Sequence, residues 1–311
     1  MFMYLVSFVM VMSSNDWFFV WMGLEINMMS FLILIYRRYS LGVIESCLKY
    51  FFIQSLGSVI LITMFYIDYD ILSGITSLIL CLKVGAGPFF FWFPSVCSGL
   101  NWMSCYMLML FQKILPLMLM VMFSHWILWY VVWVGLLVGV FGSFNQCNIK
   151  QLMAYSSIHH LGWIMLIMMK GGLDWLIYIM LYGLVLLCLV ILFMEGEITD
   201  FSMMSSSDSK VWFLFGMMSM AGIPPFLGFY LSWMALYNIM DLSLMYLMFL
   251  VMVSVVMLYV YMRVIYSVML DYNYYNCIMV GYFYNYYGYY SDLISVMGII
   301  GGVLMGLYLL L

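Results

Sequence analysis

The sequence predicts an all-α polytopic transmembrane helix bundle of about eleven spans, and three observations predict it. Hydrophobic residues make up 68% of the 311 residues and charged residues only 7%, against roughly 45–50% and about 25% in soluble domains. The apolar residues run continuously for about 20 positions rather than alternating, which favours helices over barrel strands, since lipid leaves every backbone group to be satisfied internally. Most of the 22 charges stand at the ends of those runs, where long side chains reach the interface. Disordered, collagenous and nucleic-acid-binding classes are excluded together. The net charge of -4 describes no acidic or basic face.

Taken in order, the first span covers 1–13 and reaches only ~20 Å against a hydrocarbon core of ~30 Å, so it is expected to be shortened or tilted. The second, 16–35, follows Asp16 and carries Glu25 at its middle. The third and fourth cover 47–67 and 71–94, the latter holding Lys83 followed by Gly85, Gly87 and Pro88, which predict a broken helix. The fifth, 102–122, holds Lys113 and Pro116, and the sixth covers 125–143. The seventh, 149–169, starts at Lys150 and places His159 ~13 Å along its axis, near the midplane. After the eighth, 174–194, the ninth at 211–234 is interrupted by Pro224 and Pro225. The tenth covers 243–265. A tyrosine- and asparagine-rich stretch, DYNYYNCIMVGYFYNYYGYYSD, then suits a connection at headgroup level. The last span, 291–311, carries Gly298, Gly302 and Gly306 four apart, read as close helix packing. The expected organisation is one integral membrane domain, with repeats at about 1–122 and 125–265 and a final helix at 291–311.

Loops after even-numbered spans hold or adjoin Arg37, Arg38, Lys49, Lys150, Lys210 and Arg263, whereas those after odd-numbered spans offer Lys170 alone. By the positive-inside bias, the N-terminus faces the negative compartment and the C-terminus the other side. No Lys or Arg precedes Arg37, so no secretory or transit leader is expected. The seven cysteines form no CxxC pair and read as small hydrophobes.

Three charges lie where lipid makes them expensive: Glu25, Lys83 and Lys113. At ~2.5–3.5 kcal/mol each, they cost roughly 8–10 kcal/mol before partners compensate. One reading is an ion pair that merely holds helices; the other is an ion or proton route. Pro88 and Pro116 favour the route, because each lacks the N–H that would bond the carbonyl four residues earlier, Val84 and Gln112, beside the two lysines. Those oxygens are expected to meet water or the lysines. Burial disfavours a charged lysine and a neighbouring carboxylate favours it, the latter by about 2.4 kcal/mol at an assumed ~7 Å and dielectric of ~20. A change at Glu25 would then switch Lys83 between holding and releasing a proton.

The breaks in spans four and nine lie five spans apart, so two five-helix repeats would be inverted relative to each other, the arrangement that marks a transport pathway in secondary transporters. Between them lie His159 and His160. These read either as core histidines or as a titrating relay near neutral pH. Neighbouring helix positions diverge by ~100°, which disfavours a shared metal or haem. No Gly-rich phosphate loop, nucleophile elbow or carboxylate metal cluster is present in the sequence.

The stretches SSNDWFFVWMGLEINMMSF, IESCLKYFFIQS, LKVGAGPFFFWFPSV, LFQKILPLM, GSFNQCNIKQLMAYSSIHHLGWIM and MSMAGIPPFLGFYLSW resemble, as an ordered set, the subunit 2 family of mitochondrial NADH:ubiquinone oxidoreductase, respiratory complex I. That family belongs to the antiporter-like proton-translocating subunits. The resemblance implies a multi-pass protein of the mitochondrial inner membrane, N-terminus in the matrix and C-terminus in the intermembrane space, translocating protons while quinone is reduced elsewhere. It implies no cofactor in this chain, with FMN, iron-sulfur clusters, NADH and ubiquinone in other subunits. Its partners would be other membrane-arm subunits and inner-membrane phospholipids, with no nucleic acid. On the family pattern, Glu25 matches the glutamate paired with the input lysine, Lys83 that lysine, Lys113 the central lysine, and His160 the histidine after Tyr-Ser-Ser.

Two positions depart from the pattern. Leu231, Ser232 and Trp233 stand where the family usually reads Pro-Lys-Trp, and Phe90 replaces a histidine. Ser232 can hydrogen-bond a water chain but cannot hold a positive charge. Either the proton leaves through water and His160, or neighbouring subunits do the pumping. Two other functions compete: a structural membrane-arm subunit without its own proton flux, and a stand-alone cation/proton antiporter.

Overall fold

The computed structural model describes residues 2–36, 38, 40–64, 69–195, 199–201, 210–241 and 243–270. The expected final helix at 291–311 and the tyrosine-rich stretch before it lie outside the described residues, as do Arg37 and Cys277. The described chain is α-helical, and the β-type pairing found within it is a lone bridge between Asn148 and Asp200. Among the described residues, five helices are long and apolar enough to cross a membrane, and a bent helix pair makes up to six if it counts as one span.

The chain divides into two compact units. The first comprises Met1–Gly139 and Met153–Gly171. Its helices are α1 Phe2–Ser13, α2 Trp17–Ile35, α3 Leu41–Met64, α4 Tyr69–Val84, α5 Trp92–Gly99, α6 Trp102–Met109, α7 Phe111–Met122, most of α8 Ile127–Ser143, and most of α9 Ile149–Met168. At 12 residues α1 is about 18 Å long, short of a full crossing. It packs on α2, α2 on α3, α3 on α4 and α5, and α4 on α7. Helix α3 starts six residues before its apolar run. Glu45 and Lys49 pair one turn apart at 2.6 Å on its exposed face, and the helix begins before them, at Leu41. The helix is irregular for one residue at Leu110 (φ -115, ψ -70), which divides α6 from α7 within one span.

The second unit comprises Val140–Leu152 and the described residues of Gly172–Leu311. In it, α10 Asp174–Glu195 packs on α11 Lys210–Ala221 and α12 Leu227–Ile239, and α11 packs on α13 Leu244–Leu270. The expected interruption at Pro224 and Pro225 is present as the gap between α11 and α12, where Gly222 adopts φ +74. Gly228 at the start of α12 lies so close to the carbonyl oxygen of Ser219 that a side chain would be driven into it.

Cys47, Cys81, Cys97 and Cys105 are buried in the first unit's core, as small hydrophobes would be.

Candidate functional site

Helix α4 stops at Val84 because Gly85 and Gly87 take φ +76 and +59, a region open to glycine at little cost. A single 3₁₀ turn, Gly87–Phe89, follows, and the chain bends by 91° before continuing as α5. Ending a helix within a bundle exposes carbonyls that need donors. The Trp92 indole N–H donates to the Leu82 carbonyl at 3.2 Å, and the Gln54 amide donates to the Lys83 carbonyl at 2.7 Å. The break lies where the sequence places it, and Pro88 sits beyond the helix end, so the glycines rather than the loss of its N–H end α4.

Lys83 is thus held at a helix terminus, with 6% of its surface exposed. Its stem lies against α3, where a Cβ added at Gly57 would stand 3.1 Å from Lys83 Cγ. Glu25, on α2, is half-buried, and its Oε2 is enclosed without a hydrogen-bond partner. It makes no ion pair with Lys83 within 4.0 Å. The carboxylate nevertheless contributes to the electrostatic surroundings of both Lys83 and Tyr50, so the interaction is one across space rather than a contact.

Uncharged polar side chains gather beside Lys83. The Tyr50 hydroxyl donates to Gln112 Oε1 at 3.2 Å, and Gln112 Nε2 donates to Asn27 Oδ1 at 3.0 Å. Asn27, Tyr50, Gln54, Lys83, Gln112 and Pro116 are among the residues around a cavity of about 20 Å³, room for one water.

Lys113 follows Gln112 and is 4% exposed. Its Nζ donates to Ser157 Oγ at 3.1 Å and to the Ser157 carbonyl at 3.4 Å, and lies 4.5 Å from the centre of the Phe93 ring. An ammonium has three N–H bonds, and these are three acceptors. The hydroxyl hydrogen of Ser157 is already given to the Ala154 carbonyl at 2.7 Å, leaving the oxygen to accept. These partners can take the three N–H bonds of a protonated lysine.

The two histidines occupy different settings. His159 is buried, wedged so tightly that a Cβ at Gly139 would stand 2.8 Å from its backbone nitrogen, and its Nε2 accepts from the Trp163 indole at 3.2 Å. A ring accepting there is neutral and held. His160 is half-buried and within electrostatic reach of Lys113. Phe90 stacks on Phe91 with ring centres 4.1 Å apart, near Tyr155. In the second unit, the Ser232 hydroxyl donates to the Phe229 carbonyl of its own helix at 2.8 Å.

The first unit thus sets Glu25 within electrostatic reach of Lys83, and His160 within electrostatic reach of Lys113. Sequence reasoning missed Asn27, Tyr50, Gln54, Gln112, Phe93 and Ser157. For all but Phe93 a signal was available as uncharged polar groups inside apolar runs, with Tyr50 and Gln54 one turn apart on α3.

A family model described as the transmembrane region of NADH:quinone oxidoreductase/Mrp antiporters matches residues 14–76 and 70–258. The chain belongs to that family. Relatives named NADH-ubiquinone oxidoreductase chain 2 include those of Aedes aegypti, 36% identical over 84% of this chain and 82% of that one, and Anopheles gambiae, 38% identical over the same shares. The relative from Locusta migratoria is 32% identical over 82% of this chain and 80% of that one. Among solved structures, a chain of respiratory complex I from Thermus thermophilus superposes with a TM-score of 0.82 at 20% identity, covering 98% of this chain and 77% of that one. A chain of the Mrp complex from Dietzia sp. gives 0.70 at 16% identity, over 87% and 58%. These solved chains share the helical fold of this one.

Proposed function

We propose that this chain is a core membrane-arm subunit of mitochondrial respiratory complex I that carries protons through Glu25, Lys83, Lys113 and His160, driven by quinone reduction in other subunits. The observation that carries the reading is the Lys113 pocket, in which Ser157 and Phe93 supply three acceptors to a lysine 4% exposed. Pure scaffolding gains little from such a group, since apolar replacements of buried charges are often neutral or stabilising. The chain itself does no redox chemistry; FMN, iron-sulfur clusters, NADH and ubiquinone belong to its partners. It crosses the inner membrane about eleven times as two inverted repeats, at about 1–122 and 125–265, and a final helix at 291–311, with its N-terminus in the matrix and its C-terminus in the intermembrane space.

The test is Lys113→Met in the intact complex, reconstituted into vesicles. Proton pumping and coupled NADH oxidation fall together if Lys113 relays protons. Normal values of both leave a structural subunit, the reading that Ser232 favours by binding its own helix and holding no charge. Comigration with NADH dehydrogenase activity on purification separates either reading from a stand-alone antiporter.

A further inference from the structure

We propose that Gln112 is a positioning residue that bars the proton: its side-chain amide, clasped between Tyr50 and Asn27, closes the Lys83 cavity toward Lys113 and lets a proton pass only when the clasp opens. This rests on the proton-translocating reading above. The cavity is bounded by Lys83 and Gln112, and Lys113 is not among the residues around it. Lys113 faces Ser157 and Phe93 instead. A water beside Lys83 therefore meets an amide, and a neutral amide offers hydrogen bonds without taking up or releasing a proton in the working range. Tyr50 and Asn27 occupy both ends of that amide, at 3.2 and 3.0 Å, so the chain of three is a hydrogen-bonded plug and not a wire.

The plug lies between two irregularities of α7, the break at Leu110 and Pro116. Gln112 lies in the first turn after the break at Leu110, and Pro116, which lines the same cavity, supplies no N–H to the Gln112 carbonyl. A small shift of that turn carries the amide away from Tyr50 and Asn27. Both partners tolerate the change, because a hydroxyl and a second amide can each exchange donor and acceptor roles. Removing the side chain beyond Cβ would enlarge the 20 Å³ cavity by the volume of about two waters, at ~30 Å³ each. That is enough to continue a water file past position 112.

The test uses the intact complex in vesicles, with quinone reduction stopped by a quinone-site inhibitor and a membrane potential imposed. Proton entry is followed with an entrapped pH dye. Gln112→Ala is expected to raise passive proton permeability severalfold, whereas Gln112→Leu, which fills the space without polarity, stays as tight as the native complex and pumps less. A Gln112→Ala complex no leakier than native, or a Gln112→Leu complex equally leaky, overturns the proposal. Should Gln112→Ala fail to assemble, Tyr50→Phe decides: a rise in permeability supports the clasp, and native tightness overturns it. Normal pumping by Lys113→Met would defeat the underlying reading instead. Impaired pumping by Lys113→Met with a leak-tight Gln112→Ala defeats the clasp alone.

Discussion

Ser157→Ala isolates what holds the charge on Lys113. The substitution removes the acceptor at 3.1 Å while leaving the Ser157 carbonyl at 3.4 Å and the Phe93 ring at 4.5 Å. Only one oxygen is lost, and alanine favours helix more than serine does, so α9 itself is not weakened. A hydrogen bond to a charged group contributes about 1.5–3 kcal/mol, and each ~1.4 kcal/mol is tenfold. The protonated lysine should therefore be disfavoured about 10- to 150-fold relative to its neutral form. If loading of Lys113 limits pumping, the proton flux and the NADH oxidation coupled to it fall together by about an order of magnitude at the lower bound. The assay is initial-rate proton uptake by vesicles containing the complex, normalised to assembled complex on native gels. Ser157→Thr, which keeps a hydroxyl, should recover most of the flux. Native flux in Ser157→Ala, or equal losses in both variants, would refute the assignment of the hydroxyl as the holder of the charge.

Other substitutions probe the remaining parts. Glu25→Gln should act through Lys83, so its effect on pumping should shrink in a Lys83→Met background; a double-mutant cycle with additive losses contradicts the coupling, for which about 0.5–3 kcal/mol is expected between interacting sites. Gly228→Ala drives a methyl group into the Ser219 carbonyl, and reduced assembly on native gels, with loss of thermal stability, is the expected result; native-like assembly would show that α11 and α12 can separate freely. Lys49→Ala breaks an exposed pair with Glu45 and should leave assembly and pumping unchanged, since such pairs contribute little; a clear loss in either assay would give that face a role.

Residues at the two breaks show how far local chemistry reaches. Gly85, Gly87 and the Pro224–Pro225 pair are legible because a positive φ or a missing N–H acts within a few residues of the chain. The mechanism at α4 was less legible: whether glycine or proline ends the helix first depends on the backbone path, and Trp92 and Gln54 become donors only once α3 and α5 lie against α4. The start of α3 is a related case: the apolar run is set from 47, whereas Glu45 and Lys49 stand at a spacing that suits a helix reaching back to Leu41.

What the sequence determined by itself is the class of the fold and the identity of its anomalies. Lipid leaves the backbone no water, so long apolar runs must become helices, and a Glu or Lys among them is conspicuous whatever the packing. Tertiary structure alone decided which groups those anomalies meet. Ser157 lies 44 positions from Lys113, Tyr50 62 from Gln112, and Asn27 85; His159 is held by Trp163 while His160 comes within reach of Lys113. Helices in lipid associate by close packing and hydrogen bonds rather than by hydrophobic burial. An apolar pattern therefore says that a helix forms, and leaves to packing which of its faces meets which neighbour.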